Sequence, residues 1–155
     1  MIDPREFRMT LGRFATGVTV VTARLGEDVH GITVNAFMSV SLEPPLVLVS
    51  IDRQAKANRL LRASGRYGVS VLAEDQEPHS DHFAGRPSAL SVALQEVAGV
   101  PTVRGALAQL VCRTEQIVEA GDHTLFVGLV EHLSYREGKP LLYFAGRYAH
   151  LAETR

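Results

Sequence analysis

"HGITVNAFMSVSLEPPLVLVSI", residues 30–51, decides how this chain folds. It sets polar Thr33, Asn35, Ser39 and Ser41 before a Pro44-Pro45 pair, and then runs almost purely apolar from Leu46 to Ile51. Polar side chains between two strand-like runs must face water or a group that hydrogen-bonds to them. One reading is a strand ending in a polar turn, with the two prolines marking an extended corner. The other is a row of donors and acceptors for the edge of a flat heteroaromatic ring, with neighbouring strands supplying apolar walls.

Outward from this stretch the pattern is mostly that of strands. Val18 to Ala23 is β-branched or small, "RLGEDV" (24–29) reads as a hairpin turn, and Val29 to Val34 is the returning strand. Leu46 to Ile51 is a third strand. "QAKANRLLRASG" (54–65) is a short helix with Leu60 and Leu61 facing inward and Gly65 as its C-terminal cap, and Tyr67 to Leu72 is a fourth strand. Ala106 to Glu119 and Thr124 to Ser134 form two long strands joined at Gly121-Asp122-His123, and a last strand runs from Pro140 to Ala145 after the turn "REGK".

Helices flank this β pattern. Asp3-Pro4-Arg5-Glu6 has the signature of a helix start, Phe7, Leu11 and Phe14 then share one face, and Gly17 can end the helix, which is expected to lie across a sheet. Asp75 to Phe83 reads as helical, and residues 84–105 as a long, irregular, mobile connection rich in small residues. No internal repeat or linker is present, so one domain is expected over 1–155. The fold class is mainly β with flanking helices: six or seven antiparallel strands that close into a barrel, because closure removes exposed edges.

Composition narrows the partners. With 16 Lys and Arg against 17 Asp and Glu, the net charge is −1 and no basic footprint points to nucleic acid. The one cysteine, Cys112, permits no intrachain disulfide and fits a reducing compartment. No run approaches the ~18 apolar residues of a membrane span, so no membrane partner and a cytoplasmic location are expected. The six histidines lack ligand spacing, so no metal site is expected. The glycines form neither a Rossmann fingerprint nor a P-loop, and no G-x-S-x-G nucleophile motif occurs.

Two further places bear on chemistry. Arg53 and Lys56 open the helix of 54–65, where unpaired N–H groups and two cations make an anion site; taken alone, a solvated helix start with ordinary surface cations explains them better. Adjacency favours the site, since a ring-edge row followed within about twenty residues by an anion site is the layout a flavin nucleotide needs. His123, in a tight turn before "TLFVGLV", presents an imidazole at the end of a barrel strand.

These stretches, with "RFATGVTVVTA" (13–23), "GRYGVSVLAEDQ" (65–76), "HFAGR" (82–86), "GVPTVRGALAQLVC" (99–112), "GDHTLFVGLVEHL" (121–133) and "PLLYFAGRY" (140–148), resemble the flavin reductase family with the FMN-binding split-barrel fold. That family comprises the small reductase components of two-component flavin monooxygenases, and several segments look especially like the reductase component of styrene monooxygenase. The resemblance implies Thr33, Val34, Asn35 and Ala36 at the isoalloxazine edge, and Ser50, Ile51, Asp52 and Arg53 along the ribityl chain. Lys56 and Asn58 would lie near the phosphate, and Phe83, Ala84, Gly85 and Arg86 beside the flavin. His123 would look onto the nicotinamide with Gly121 and Asp122 next to it, and Arg147 and Tyr148 would close the same side. Two positions depart from the family: Gln54-Ala55-Lys56-Ala57 replaces a loop often carrying Ser or Thr, and Ala36 stands where serine is common.

The function implied is an NAD(P)H:flavin oxidoreductase, passing hydride from NADH, with NADPH not excluded, to FMN or FAD and supplying reduced flavin to a flavin-dependent oxygenase. A homodimer with the site at the subunit junction is implied as well. The alternatives are a non-catalytic flavin- or haem-binding split barrel, which would not need His123, and a pyridoxamine-phosphate-oxidase-like flavoenzyme, which would want more phosphate-binding cations.

Overall fold

The structure, a computed structural model, describes residues 1–86 and 90–152. In chain order the elements are α1 (Pro4–Leu11), β1 (Thr16–Gly17), β2 (Thr19–Leu25), β3 (Asp28–Val34), β4 (Phe37–Ser41), β5 (Leu46–Asp52), α2 (Lys56–Ser64), β6 (Arg66–Val71), α3 (Glu77–Phe83), β7 (Leu94–Val97), β8 (Val100–Val103), β9 (Ala108–Ala120), β10 (His123–Tyr135), β11 (Leu141–Phe144) and β12 (Arg147–His150). A seven-stranded antiparallel sheet has the order β3-β2-β6-β9-β10-β5-β4; β1-β11-β12 and β7-β8 form two smaller sheets.

The longest pair, β9 and β10, turns at Gly121 with φ 63° and runs from His123 opposite Ala120 to Tyr135 opposite Ala108, with register shifts between Val127 and Gly128 and between Val130 and His132. On its other side β10 pairs with β5, setting His123 opposite Asp52 and Leu129 opposite Leu46. The near-continuous apolar run of β2 follows from burial on both faces. Val21 and Ala23 enter a core with Val49, Ile51, Leu60, Leu61, Tyr67 and Phe126, whereas Val20 joins Val18, Leu72, Val103 and Leu141 in a second core. Val34 of β3 and Val47, Val49 and Ile51 of β5 meet in the first core, so the sheet curls to bring strands from both ends of its order together. α2 covers that core, and Gly65 in the left-handed conformation ends it, as its sequence requires.

Four expectations need correction. α1 stops at Gly12 rather than Gly17, and it does not lay its apolar face on a sheet: none of its residues is buried, and Phe7, Leu11 and Phe14 are 57%, 54% and 76% exposed. Asp3 does cap it, Oδ1 accepting from Arg5 N at 2.8 Å. Residues 37–41 are a strand paired with β5, so the opening stretch holds a strand more than expected. The stretch read as an irregular connection contains the β7-β8 hairpin, whose second strand is wholly buried; residues 87–89 of it lie outside the described residues. Finally, Arg147 and Tyr148 belong to a strand, β12, that pairs back on β11 across Ala145 and Gly146, both at positive φ.

Candidate active site

Two clefts are lined by eight of the nineteen residues singled out from the sequence: Thr33, Asn35, Ala84, Arg86 and Tyr148 in one, Arg53, Gly121 and Asp122 in the other. The first, about 200 Å³, lies between the end of β3, α3 and the β11-β12 hairpin, and is lined by Thr33, Asn35, Ser80, Ala84, Arg86, Tyr143 and Tyr148 with Val18 at its base. A chain of hydrogen bonds ties its walls together. Thr33 Oγ1 donates to Ser80 O at 2.6 Å, and Tyr148 Oη donates to Asp81 Oδ1 at 2.8 Å. With that proton committed, Ser80 Oγ donates to Tyr148 Oη at 2.6 Å. Arg86 Nη1 also donates to Asp81 Oδ1, at 2.8 Å, and Arg86 N to Asp81 O at 3.1 Å. Burial raises the Tyr148 hydroxyl's pKa above the ordinary tyrosine value, so the phenol stays a neutral donor.

α3 reaches this position because β3 carries a glycine where it crosses. A Cβ at Gly31 would stand 2.7 Å from Phe83 Cδ1 and Cε1, so the bare backbone makes the seat for the Phe83 ring. Phe83 thus packs on β3 and on the second core, while Ala84, Gly85 and Arg86 are exposed beyond it.

The second cleft, about 450 Å³, is lined by Arg53, Gln54, Gly121 and Asp122. The β9-β10 turn and the loop after β5 are stapled here: Arg53 N donates to Asp122 O at 3.0 Å and Arg53 Nη1 to Gly121 O at 3.3 Å. Asp52 caps its own loop, Oδ1 accepting from Gln54 N at 2.8 Å. Ala55 precedes α2 and offers no side-chain cap, which leaves the Lys56 and Ala57 N–H groups open, while Asn58 N donates to Ala55 O at 3.0 Å. Lys56, whose Nζ lies 3.6 Å from Asp28 Oδ1, stands at the same end.

A backbone contact joins a residue placed at the ring edge to one placed along the ribityl chain, Ser50 N donating to Ala36 O at 3.1 Å. His123 is the first residue of β10, opposite Asp52. Its Nδ1 donates to Asp122 Oδ1 at 2.8 Å, which turns Nε2 away from Asp122 and holds the Asp122 carboxyl below the usual carboxylate range. Three of the residues are turned inward. Val34 and Ile51 belong to the first core, and Asn58 is buried with Nδ2 on Ile51 O at 3.4 Å and Asp52 O at 3.3 Å and Oδ1 taken by Arg62 Nε at 2.8 Å. Asn58 therefore shapes the loop and has no side-chain atom spare for a ligand. Arg147 is exposed on β12, outside the lining of both clefts.

Sequence reading did not single out Ser80, Asp81, Tyr143, Arg62 or Glu119. Their partners lie far along the chain, and only for Ser80 and Asp81 does a neighbouring motif, "HFAGR", mark the vicinity.

Residues 11–152 match the family profile described as "Flavin reductase like domain". The chain belongs to the flavin reductase family. It is 49% identical over 156 residues to an NADH-dependent flavin reductase from a Rhodococcus species, covering 97% of this chain and 88% of the relative. Among solved structures, the flavin reductase PheA2 in its native state superimposes with a TM-score of 0.96 at 48% identity, over 98% of this chain and 100% of that one. The styrene monooxygenase flavin reductase from Pseudomonas putida S12 does so with a TM-score of 0.89 at 42% identity, over 96% and 99%. Among the described residues of the reductase, no helix is long and apolar enough to cross a membrane, and no group of three or more His, Cys, Asp and Glu could hold a metal.

Proposed function

We propose that this chain is an NADH-dependent flavin reductase of a two-component system: it takes FMN or FAD as substrate, reduces it with NADH and releases it to a flavin-dependent monooxygenase. The observation that carries the reading is the backbone hydrogen bond from Ser50 N to Ala36 O, at 3.1 Å, which ties the ring-edge stretch to the strand leading into the Arg53–Lys56 loop, within a chain of this family. A flavin nucleotide needs a ring edge and an anion site in that order, and the donor set fits one. Thr33, Asn35 and the backbone to Ala36 offer ring-edge partners. Ser50, Asp52 and Arg53 follow along the ribityl chain, and Lys56 with the uncapped N–H groups of α2 takes the phosphate.

Flavin supplies the hydride acceptor, so the protein's task is to orient two rings and hold them about 3 to 3.5 Å apart. His123 does this for the nicotinamide: with Nδ1 fixed on Asp122, Nε2 accepts from the carboxamide N–H. Tyr148 and Arg86, both held by Asp81, close the side of the ring cleft, and Phe83 and Gly85 set the path of that wall. We further read the curled sheet as a closed split barrel, the whole chain as one flavin reductase-like domain, and the active form as a cytoplasmic homodimer. Exposed Phe7, Leu11, Phe14 and Leu42, the last 93% exposed, support a partner copy.

The test is NADH consumption by purified protein with FMN, FAD or no flavin, for the parent and His123→Ala. The reading expects oxidation only with added flavin. It also expects His123→Ala to lower turnover about ten- to a hundred-fold with flavin affinity retained. Equal steady-state constants in variant and parent would remove His123 from the reaction, and no flavin-dependent oxidation in the parent would refute the function.

A further inference from the structure

Arg53 meets the second cleft already paired. Its Nε lies 3.2 Å from Glu119 Oε2, and its Nη1 donates to Gly121 O at 3.3 Å. The other oxygen of the same carboxylate pairs with Arg62 Nη2, and Thr124 Oγ1, which accepts from Arg62 Nη2 at 3.0 Å, lies 3.3 and 3.2 Å from the two Glu119 oxygens. Glu119 ends up here because β9 and β10 set it opposite Thr124, one residue before the turn. One carboxylate therefore serves two guanidinium groups, one of which, Arg53, lines the cleft. The hydrogen bond from Arg62 is the main reason that its pKa lies below the ordinary glutamate value, so it remains an anion at neutral pH.

We propose that Glu119 determines flavin affinity and selectivity at this site: it is a built-in anion that shares Arg53 with the flavin phosphate and thereby weakens the grip on phosphorylated flavins. This rests on the reading of the Arg53–Lys56 loop as the phosphate site. A guanidinium has five N–H donors, so Arg53 can bind a phosphate while it keeps Glu119 and Gly121. The incoming phosphate then meets a second negative charge a few ångströms away, and the like charges repel. For a protein that must release reduced flavin, such tempering is useful. Riboflavin, which lacks the phosphate, does not feel it.

The test titrates FMN and riboflavin into the parent, Glu119→Gln, Glu119→Asp, Arg53→Ala and the Arg53→Ala/Glu119→Gln double variant. Glu119→Gln should tighten FMN binding about two- to five-fold, the range expected for one exposed charge interaction, and leave riboflavin unchanged. Glu119→Asp, which keeps the charge, should stay near the parent, and the gain should vanish where Arg53 is absent. FMN affinity that is unchanged or weakened in Glu119→Gln, or equal shifts for FMN and riboflavin, would overturn the role of Glu119. The underlying assignment fails separately: in that case Arg53→Ala would weaken FMN no more than riboflavin.

Discussion

Asp81 accepts from two side chains through one oxygen, Tyr148 Oη and Arg86 Nη1, each at 2.8 Å. Asp81→Ala should release both walls of the ring cleft, costing about 1 kcal/mol of stability in denaturant titrations, and should raise KM for NADH more than it lowers kcat. An unchanged KM would separate this network from substrate binding. Cys112 carries a different prediction. Burial pushes its thiol from 9.0 up to about 12, and burial also raises the Tyr67 phenol beside it. A raised pKa means the folded state keeps a proton that the unfolded state gives up. That part of the stability is present below pH 9 and is lost progressively as the pH rises to about 12. The denaturation midpoint should fall over that range, and Cys112→Ala should show a shallower fall; parallel curves would contradict the assignment. At this scale Thr33, Asn35, Arg86 and Tyr148 were legible as cleft residues because family motifs carry them. Ser80, Asp81 and Glu119 were not, since a pair such as Ser80 and Tyr148, separated by 68 residues, leaves no periodic trace.

Among the elements, α3 depends on one glycine. Gly31→Ala would drive a methyl against the Phe83 ring, 2.7 Å away, and should destabilise the protein by about 1–3 kcal/mol while lowering turnover, because α3 carries Ser80 and Asp81. Full stability in that variant would show that Phe83 repacks freely. The strands most legible from their residues are those rich in β-branched and other apolar side chains, β2, β5, β9 and β10. The ones overlooked have physical reasons. β4, Phe-Met-Ser-Val-Ser, spends its serines where a core strand would spend apolar residues. In β7-β8, Pro101 argues against a strand, and the turn signal is Ala98-Gly99, with Ala98 at φ 50°, where Asn or Gly is usual. The β11-β12 turn repeats that disguise with Ala145 at φ 52°. Of the pattern Phe7, Leu11 and Phe14 only the first two fall in the helix, and although an apolar face calls for a cover, all three side chains are exposed among the described residues.

For the whole molecule, uncovered side chains on α1, on β4 and toward the end of β10, where Leu133 and Tyr135 are 69% and 80% exposed, lead to the expectation of a dimer. Light scattering should give twice the 16.9 kDa chain mass, and a monomer at micromolar concentration would contradict it. On the proposed reading, the protein orients flavin without retaining it. The most direct measurement of that claim is the number of flavins reduced per chain, without oxygen, by excess NADH and excess FMN or FAD over a trace of the protein. Many equivalents reduced, at a rate that saturates in both substrates, is the predicted result. One equivalent or fewer per chain would mean that flavin stays bound, and would contradict the account.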